Sequence, residues 1–410
     1  MTRETRRGGW LALIALSAAI ATGCAGLPKG NTFGEDVAFL RKHTDVVVLK
    51  DESGKAQVAV VPKYQGRVMT STAGGTEGLS YGWINCDLIA SGKLLPHMNA
   101  FGGEDRFWMG PEGGQYAIFF ESGAPFDLEH WQTPAVIDTE PFELTSKSGA
   151  RAAFRKETRI TSRYGTHFDL RIDRTVRLLP AERAAELLGV PLPESVRVAA
   201  YESDNRITNT GGEAWRKETG LLSIWILGMF QPTPKTTIVI PFNPGPEGRL
   251  GPKINDKYFG KVPAERLIVK DDALFFRGDG KCRGKIGIPP RRAKPICGSY
   301  DAARRVLTLV QYTKPEGAAD YVNSMWELQK EPYAGDVVNS YNDGPAGPEG
   351  SLLGPFYELE TSSPAAALKP QESITHIHRT FHFEAREKDL DAIARKTLGV
   401  GLREIKKAFD

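Results

Sequence analysis

The stretch from His167 to Leu179 reads HFDLRIDRTVRLL, with apolar and polar side chains alternating along its length. A period of two puts Phe168, Leu170, Ile172, Val176 and Leu178 on one side of an extended chain, and no helix does this. A strand this long with one apolar face must cover that face with another layer, so the chain is bound to a layered β architecture. Shorter strand-like runs surround it: Val46–Leu49, Val58–Val61, Val68–Thr72, Tyr116–Phe120, Phe142–Ser146, Val196–Ile207, Leu221–Phe230, Thr236–Phe242, Leu267–Arg277, Val306–Tyr312 and Ser373–Glu384. Helical spacing is confined to a short segment at Glu35–His43, to Ala181–Leu188 and to a tail from Lys388 to Phe409. In that tail Leu390, Ile393, Ala394, Leu398, Leu402, Ile405 and Phe409 form an apolar stripe, interrupted by Gly399 and Gly401. Strands that do not alternate with helices exclude a Rossmann fold or a barrel of βα units, and no internal repeat suggests a propeller. The 43 Gly and 27 Pro, spread without a period, supply the turns that an all-β chain of 410 residues needs. One large two-sheet sandwich over residues 35–410, with helices from about 388, is the expected fold.

The first residues, MTRETRRGGWLALIALSAAIATGC, carry arginines, then an apolar run from Trp10 to Ala21, then small residues ending at Cys24. The run is too short for a spanning anchor and reads as a secretory signal. Ala21-Thr22-Gly23-Cys24 resembles a bacterial lipobox, with Ala21 where Leu is commoner. That resemblance implies removal of residues 1–23, acylation of Cys24, a lipidated tether over 24–34 and attachment to the cell envelope. Ala25, in place of the Asp that retains many lipoproteins at the inner membrane, implies the outer membrane. An ordinary signal cut elsewhere is the alternative.

Lys+Arg 53 against Asp+Glu 50 leaves the chain near neutrality, so no basic field draws it to nucleic acid. Cys86, Cys282 and Cys297 remain beyond the signal, and export permits a Cys282–Cys297 disulfide as readily as three buried thiols. GGTEGLSYGW and GPEGGQ lack the Lys-Ser/Thr of a phosphate loop, and no G-x-S-x-G elbow marks a serine hydrolase.

The segment GPFYELETSSPAAALKPQESITHIHRTFHF, residues 354–383, resembles the end of the galactose mutarotase (aldose 1-epimerase) superfamily. There, a strand carrying a Glu, a Pro-containing bend and an L-x-P-G-E turn precede the closing strand. The turn here is Leu368-Lys369-Pro370-Gln371-Glu372, with Gln371 in place of Gly. The resemblance implies a mutarotase-like β super-sandwich and makes Glu360 the candidate base, with Glu358 two residues earlier on the same face. HMNAFGGEDRFWMGPEGGQYAIFF, from His97 to Phe120, stands where mutarotases carry a sugar-facing loop. Together with GDVVNSYNDGP at 335–345, it resembles an exported bacterial branch of that superfamily with no assigned activity. The sequence departs from true mutarotases in one respect. Their acid is a central-strand His, whereas none of the seven His here lies between residues 168 and 375.

A sugar site needs flat apolar faces and bidentate polar groups. Glu104, Asp105, Arg106, Trp108, Glu112 and Gln115 supply both within a few residues, and buried polar density of this kind must be satisfied or used. An internal network bracing a sharp loop is the competing reading. His97, beside this block, is the candidate acid, and Arg206 and Lys285 are candidate groove cations suited to acidic sugars. His376, His378 and His382 share one strand face; a zinc pair is conceivable there, but a polar face or bonds within the sheet is the expectation. Asp336, Asn339, Asn342 and Asp343 offer oxygens for Ca²⁺, yet their spacing is not an EF-hand loop, and Asn-Asp-Gly is ordinary turn chemistry. No metal or other cofactor is expected, with Ca²⁺ as the open alternative. The expected protein is an exported lipoprotein that binds or acts on a carbohydrate as an epimerase, lyase or hydrolase. A non-catalytic sugar binder or a structural envelope lipoprotein is the alternative.

Overall fold

The computed structural model describes residues 30–345 and 353–410. The signal segment and Cys24 lie outside those residues. Two antiparallel sheets face one another. The larger has ten strands in the order Leu267–Val269, Ala273–Arg277, Thr236–Pro241, Ile296–Asp301, Val306–Tyr312, Ser373–Glu384, Arg197–Asn209, His167–Leu179, Arg151–Thr161 and Glu143–Lys147. The smaller has five, in the order Gly284–Ile288, Val338–Asn342, Tyr357–Ser362, Ser223–Phe230 and Arg106–Gly110. A three-stranded sheet made of Val47–Lys50, Gln57–Val61 and Arg67–Thr72 completes the β structure, covered by the helix Phe33–Arg41.

The apolar side of each strand fixes which way it faces. Ile286, Ile288, Val338 and Leu359 of the small sheet pack against Ile238, Ile240, Leu274 and Phe276 of the large one, forming half of the sandwich core. Phe107, Ile224 and Ile226 meet Leu170, Ile172 and Ile207 in the other half. On its outer side the large sheet presents Val239, Phe275, Leu307, Leu309, Phe381 and Phe383. The helices Ala181–Leu188, Glu387–Leu398 and Leu402–Lys407 cover that side through Ala184, Leu188, Leu390, Ile393, Ala394, Leu398, Leu402 and Ile405. Gly399, with φ of 77°, ends the first tail helix in the left-handed conformation that glycine tolerates. The fold is the expected mostly-β sandwich with a short helical C-terminus.

Several local expectations are corrected. Tyr116–Phe120 is not a strand, because its side chains fill a buried turn beside Trp131 and Trp326. Leu267–Arg277 is a hairpin rather than one strand, broken at 270–272. Arg106–Gly110, Arg151–Thr161, Gly284–Ile288, Ile296–Asp301 and Val338–Asn342 are strands that the pattern did not signal. Cys282 and Cys297 carry free thiols, the second buried in the core.

Candidate functional site

The outward face of the five-stranded sheet sets charged side chains among aromatic and aliphatic ones, where its inward face is mostly apolar. Alternation along Tyr357–Ser362 sends Tyr357 and Leu359 inward and leaves Glu358, Glu360 and Ser362 on the other side. Register then assembles the rest. Glu360 stands opposite Asn339 on one neighbour and Leu227 on the other, and Leu227 is opposite Arg106. One step along, Ser362 is level with Trp225 and Trp108; on the other side Glu358 is level with Tyr341 and Lys285.

Glu360 is wholly buried. Its Oε2 accepts hydrogen bonds from Lys285 Nζ at 3.0 Å and from Trp225 Nε1 at 3.0 Å, while its Oε1 has no partner. The Lys285 ammonium also sits 4.7 Å from the Trp225 ring centre and 5.5 Å from that of Tyr258. Burial alone would lower the Lys285 pKa, but Glu360, Glu112 and Glu358 together push it upward. Beside this pair, Arg106 donates to Glu358 at 2.8 Å and lies 4.3 Å over the Trp108 ring. Burial, reinforced by Glu360, raises the Glu358 carboxyl to about 8 against the opposing pull of Arg106 and Lys285.

Asp336 closes the other side. Its Oδ2 accepts from Tyr258 Oη at 2.6 Å and Asn255 Nδ2 at 2.9 Å, and burial pushes its pKa up to about 6. Gly287 permits that approach, since a Cβ there would stand 2.0 Å from Asp336 Oδ2. Trp225, Lys285, Tyr258, Asp336, Asn339 and Ser223 line one narrow cleft. The Ser223 hydroxyl, buried, has no partner either. The free volume of the cleft, about 10 Å³, has room for a water molecule.

The structure gathers Glu360, Lys285, Arg106 and Trp108 on this face, with Glu112 at its edge, where its carboxylate accepts from Trp326 Nε1 at 3.2 Å. Other candidates lie elsewhere. Glu104 is inside the protein, held by Ser71, Tyr201 and His382, and Asp105 forms a fully buried 2.7 Å ion pair with Arg174. Gln115 braces the loop at Gln329 through a pair of 3.0 Å bonds. Arg206 is exposed on the large sheet, beside Thr375. The His97 ring donates to the Trp131 carbonyl at 2.6 Å and makes no hydrogen bond to Glu360. His376 and His378 point into the sandwich, where both meet Thr361 Oγ1, at 2.8 and 2.9 Å. The four candidate calcium ligands are engaged separately: Asp336 with Tyr258, Asn339 with the Ile286 carbonyl, Asn342 with the Gly280 amide, Asp343 with Tyr341. No cluster of three or more acidic, His or Cys side chains arranged to hold a metal occurs among the described residues. Trp225 and Tyr258 were not singled out from sequence; their signal was an aromatic residue on a strand and in a loop, with nothing local to tie either to Glu360.

Residues 31–409 match a family of unknown function (DUF6786). No curated protein matches the chain. Among solved structures it is similar to the Slr1438 protein from Synechocystis sp. PCC 6803, at 12% identity over 83% of this chain and 96% of that one, with a TM-score of 0.49. It is also similar to a galactose mutarotase-like protein from Lactobacillus casei ATCC 334, at 8% identity over 83% and 100% of the two chains, with a TM-score of 0.46. A galactose mutarotase related enzyme from Lactobacillus acidophilus matches at 7% identity over 83% and 98%, with a TM-score of 0.44.

Proposed function

Because the chain belongs to DUF6786, a family of unknown function, its activity has to come from its own residues, and we propose that the cleft on the small sheet binds and processes a carbohydrate with Glu360 as base. The observation that carries this reading is the buried Glu360 carboxylate, with one oxygen fixed by Lys285 and Trp225 and the other unpartnered. A buried acceptor without a partner is costly unless something fills it, and a sugar hydroxyl is a donor of the right kind. Trp225 and Tyr258 offer flat faces for a ring, and Asp336, with its pKa near 6, is a group able to give up and take back a proton near neutrality. Asp336 serves better than His97 as the acid, since His97 is tied to Trp131. A sugar is larger than the present cleft, so its access displaces the loops that carry Tyr258 and Ser324. The leader sequence supports export and lipid attachment at Cys24, with the outer membrane as destination.

A glycan array followed by calorimetry on wild type and Glu360→Gln tests the site. An enzyme loses turnover in a variant that still folds, whereas a pure binder shows no turnover in either form. Absence of carbohydrate binding at millimolar concentration overturns the reading. Cys24→Ser should abolish acylation in a host that processes lipoproteins; unlipidated wild type starting at another residue would overturn the anchor.

A further inference from the structure

Resting on the sugar reading of this same cleft, we infer that its ligand carries a protonated amine, making it an amino sugar rather than a neutral or acidic one. Both cations at the site are already taken: Lys285 by Glu360 and Arg106 by Glu358. Two further carboxylates have no cation of their own: Asp336, which lines the cleft and accepts from Tyr258 and Asn255, and Glu112 at the edge of the face, which accepts from Trp326. Even with the Glu358 carboxyl raised to about 8 and largely protonated at neutral pH, the carboxylates of Glu360, Asp336 and Glu112 outnumber the two cations on a buried face, where a charge is felt strongly. The rise in the Lys285 pKa despite burial reports the same negative potential. Two unpartnered atoms show where a ligand has unmet contacts to make: Glu360 Oε1, an acceptor, and the Ser223 hydroxyl, which lines the cleft. An ammonium group satisfies an ionised acceptor with a charge-assisted bond, and the faces of Trp225 and Tyr258, which already hold the Lys285 ammonium, suit a second cation. A sugar carboxylate placed here would meet like charge on several sides.

Calorimetry of the full chain with glucosamine, glucose, N-acetylglucosamine and glucuronate at neutral pH tests this. Glucosamine should bind about tenfold or more tighter than glucose, the advantage should vanish on N-acetylation and shrink with added salt, and glucuronate should bind weakest. Asp336→Asn and Glu112→Gln, checked for an intact thermal transition, should each reduce the preference for glucosamine over glucose. Equal binding of glucose and glucosamine, or tightest binding of glucuronate, overturns the amine inference and leaves the sugar reading standing. Failure of all four sugars to bind overturns both.

Discussion

The Lys285 ammonium and the Glu360 carboxylate, 75 residues apart in sequence, meet at 3.0 Å on a sheet face where Glu360 is closed to solvent. Neither is tolerable there alone, because removing one partner of a buried pair strands the other charge. Lys285→Met, which keeps the stem and removes the charge, should destabilise the fold by about 3 kcal/mol or more. Adding Glu360→Gln to it should recover most of that loss. Urea titration of both variants reads the difference; equal stability of the single and double variants would mean that the pair is not coupled.

Trp108 is packed against Phe119 and Trp225 and is almost fully covered, so it belongs to the floor of the site rather than to its open surface. Trp108→Ala should therefore cost about 3–5 kcal/mol of stability, as large-to-small core changes do. Trp225→Phe is the milder binding probe, since it keeps an aromatic ring while removing part of the indole and the N–H that holds Glu360. Calorimetry on the Phe variant should show weakened ligand affinity, with a thermal transition lowered by less than that of Trp108→Ala.

His376 and His378 are buried and neutral, with burial pulling their pKa values down to about 3 and about 4 from 6.5. A depressed histidine contributes stability that is complete above 6.5 and lost as pH falls, because the unfolded chain takes up the protons first. Glu358 and Asp336, raised by burial, act in the opposite sense over part of that range, so the comparison needs a variant. Relative to the His376→Gln, His378→Gln double variant, wild type should lose stability between pH 6.5 and 4. Parallel pH profiles for the two proteins would contradict the buried neutral assignment.

The tail helices cover Phe275, Leu307, Leu309, Phe381 and Phe383 on the outer side of the large sheet. Ending the chain at Lys388 should uncover that apolar surface, lower the melting temperature and reduce solubility. An unchanged melting temperature would show that the tail contributes no packing.

The long strands and the tail helices were legible because their periodicity is local: His167–Leu179, Val306–Tyr312 and Ser373–Glu384 have the limits that their alternation marked. Arg106–Gly110 was not, since RFWMG is buried on both faces and shows no alternation. The acidic density at Glu104 and Asp105 looked functional because sequence does not show partners. Those partners, Tyr201, His382 and Arg174, come from the distant large sheet. Glu360 is a candidate from sequence only through a resemblance, and its contacts with Lys285 and Trp225 depend on strand order in the small sheet, which no spacing along the chain encodes.

Asp336 joins the site through Tyr258, and that bond makes a final test of how the cleft sets its proton affinity. Burial raises the Asp336 pKa to about 6, while the Tyr258 and Asn255 hydrogen bonds and the nearby Lys285 hold it below where burial alone would take it. Tyr258→Phe removes one of those bonds and keeps the ring, so the Asp336 midpoint should move above 6. A carboxyl raised in the folded state contributes stability below its unfolded value of 3.8 that is lost as pH rises through the folded value. The Phe variant should therefore be more sensitive than wild type to a shift from acid to alkaline pH. Carbon-13 titration of the Asp336 carboxyl gives the midpoint, and urea unfolding at both ends of the range gives the stability. A midpoint that stays put or falls in Tyr258→Phe would show that the phenol does not stabilise the ionised carboxylate, and would remove Asp336 as the tuned acid of the cleft.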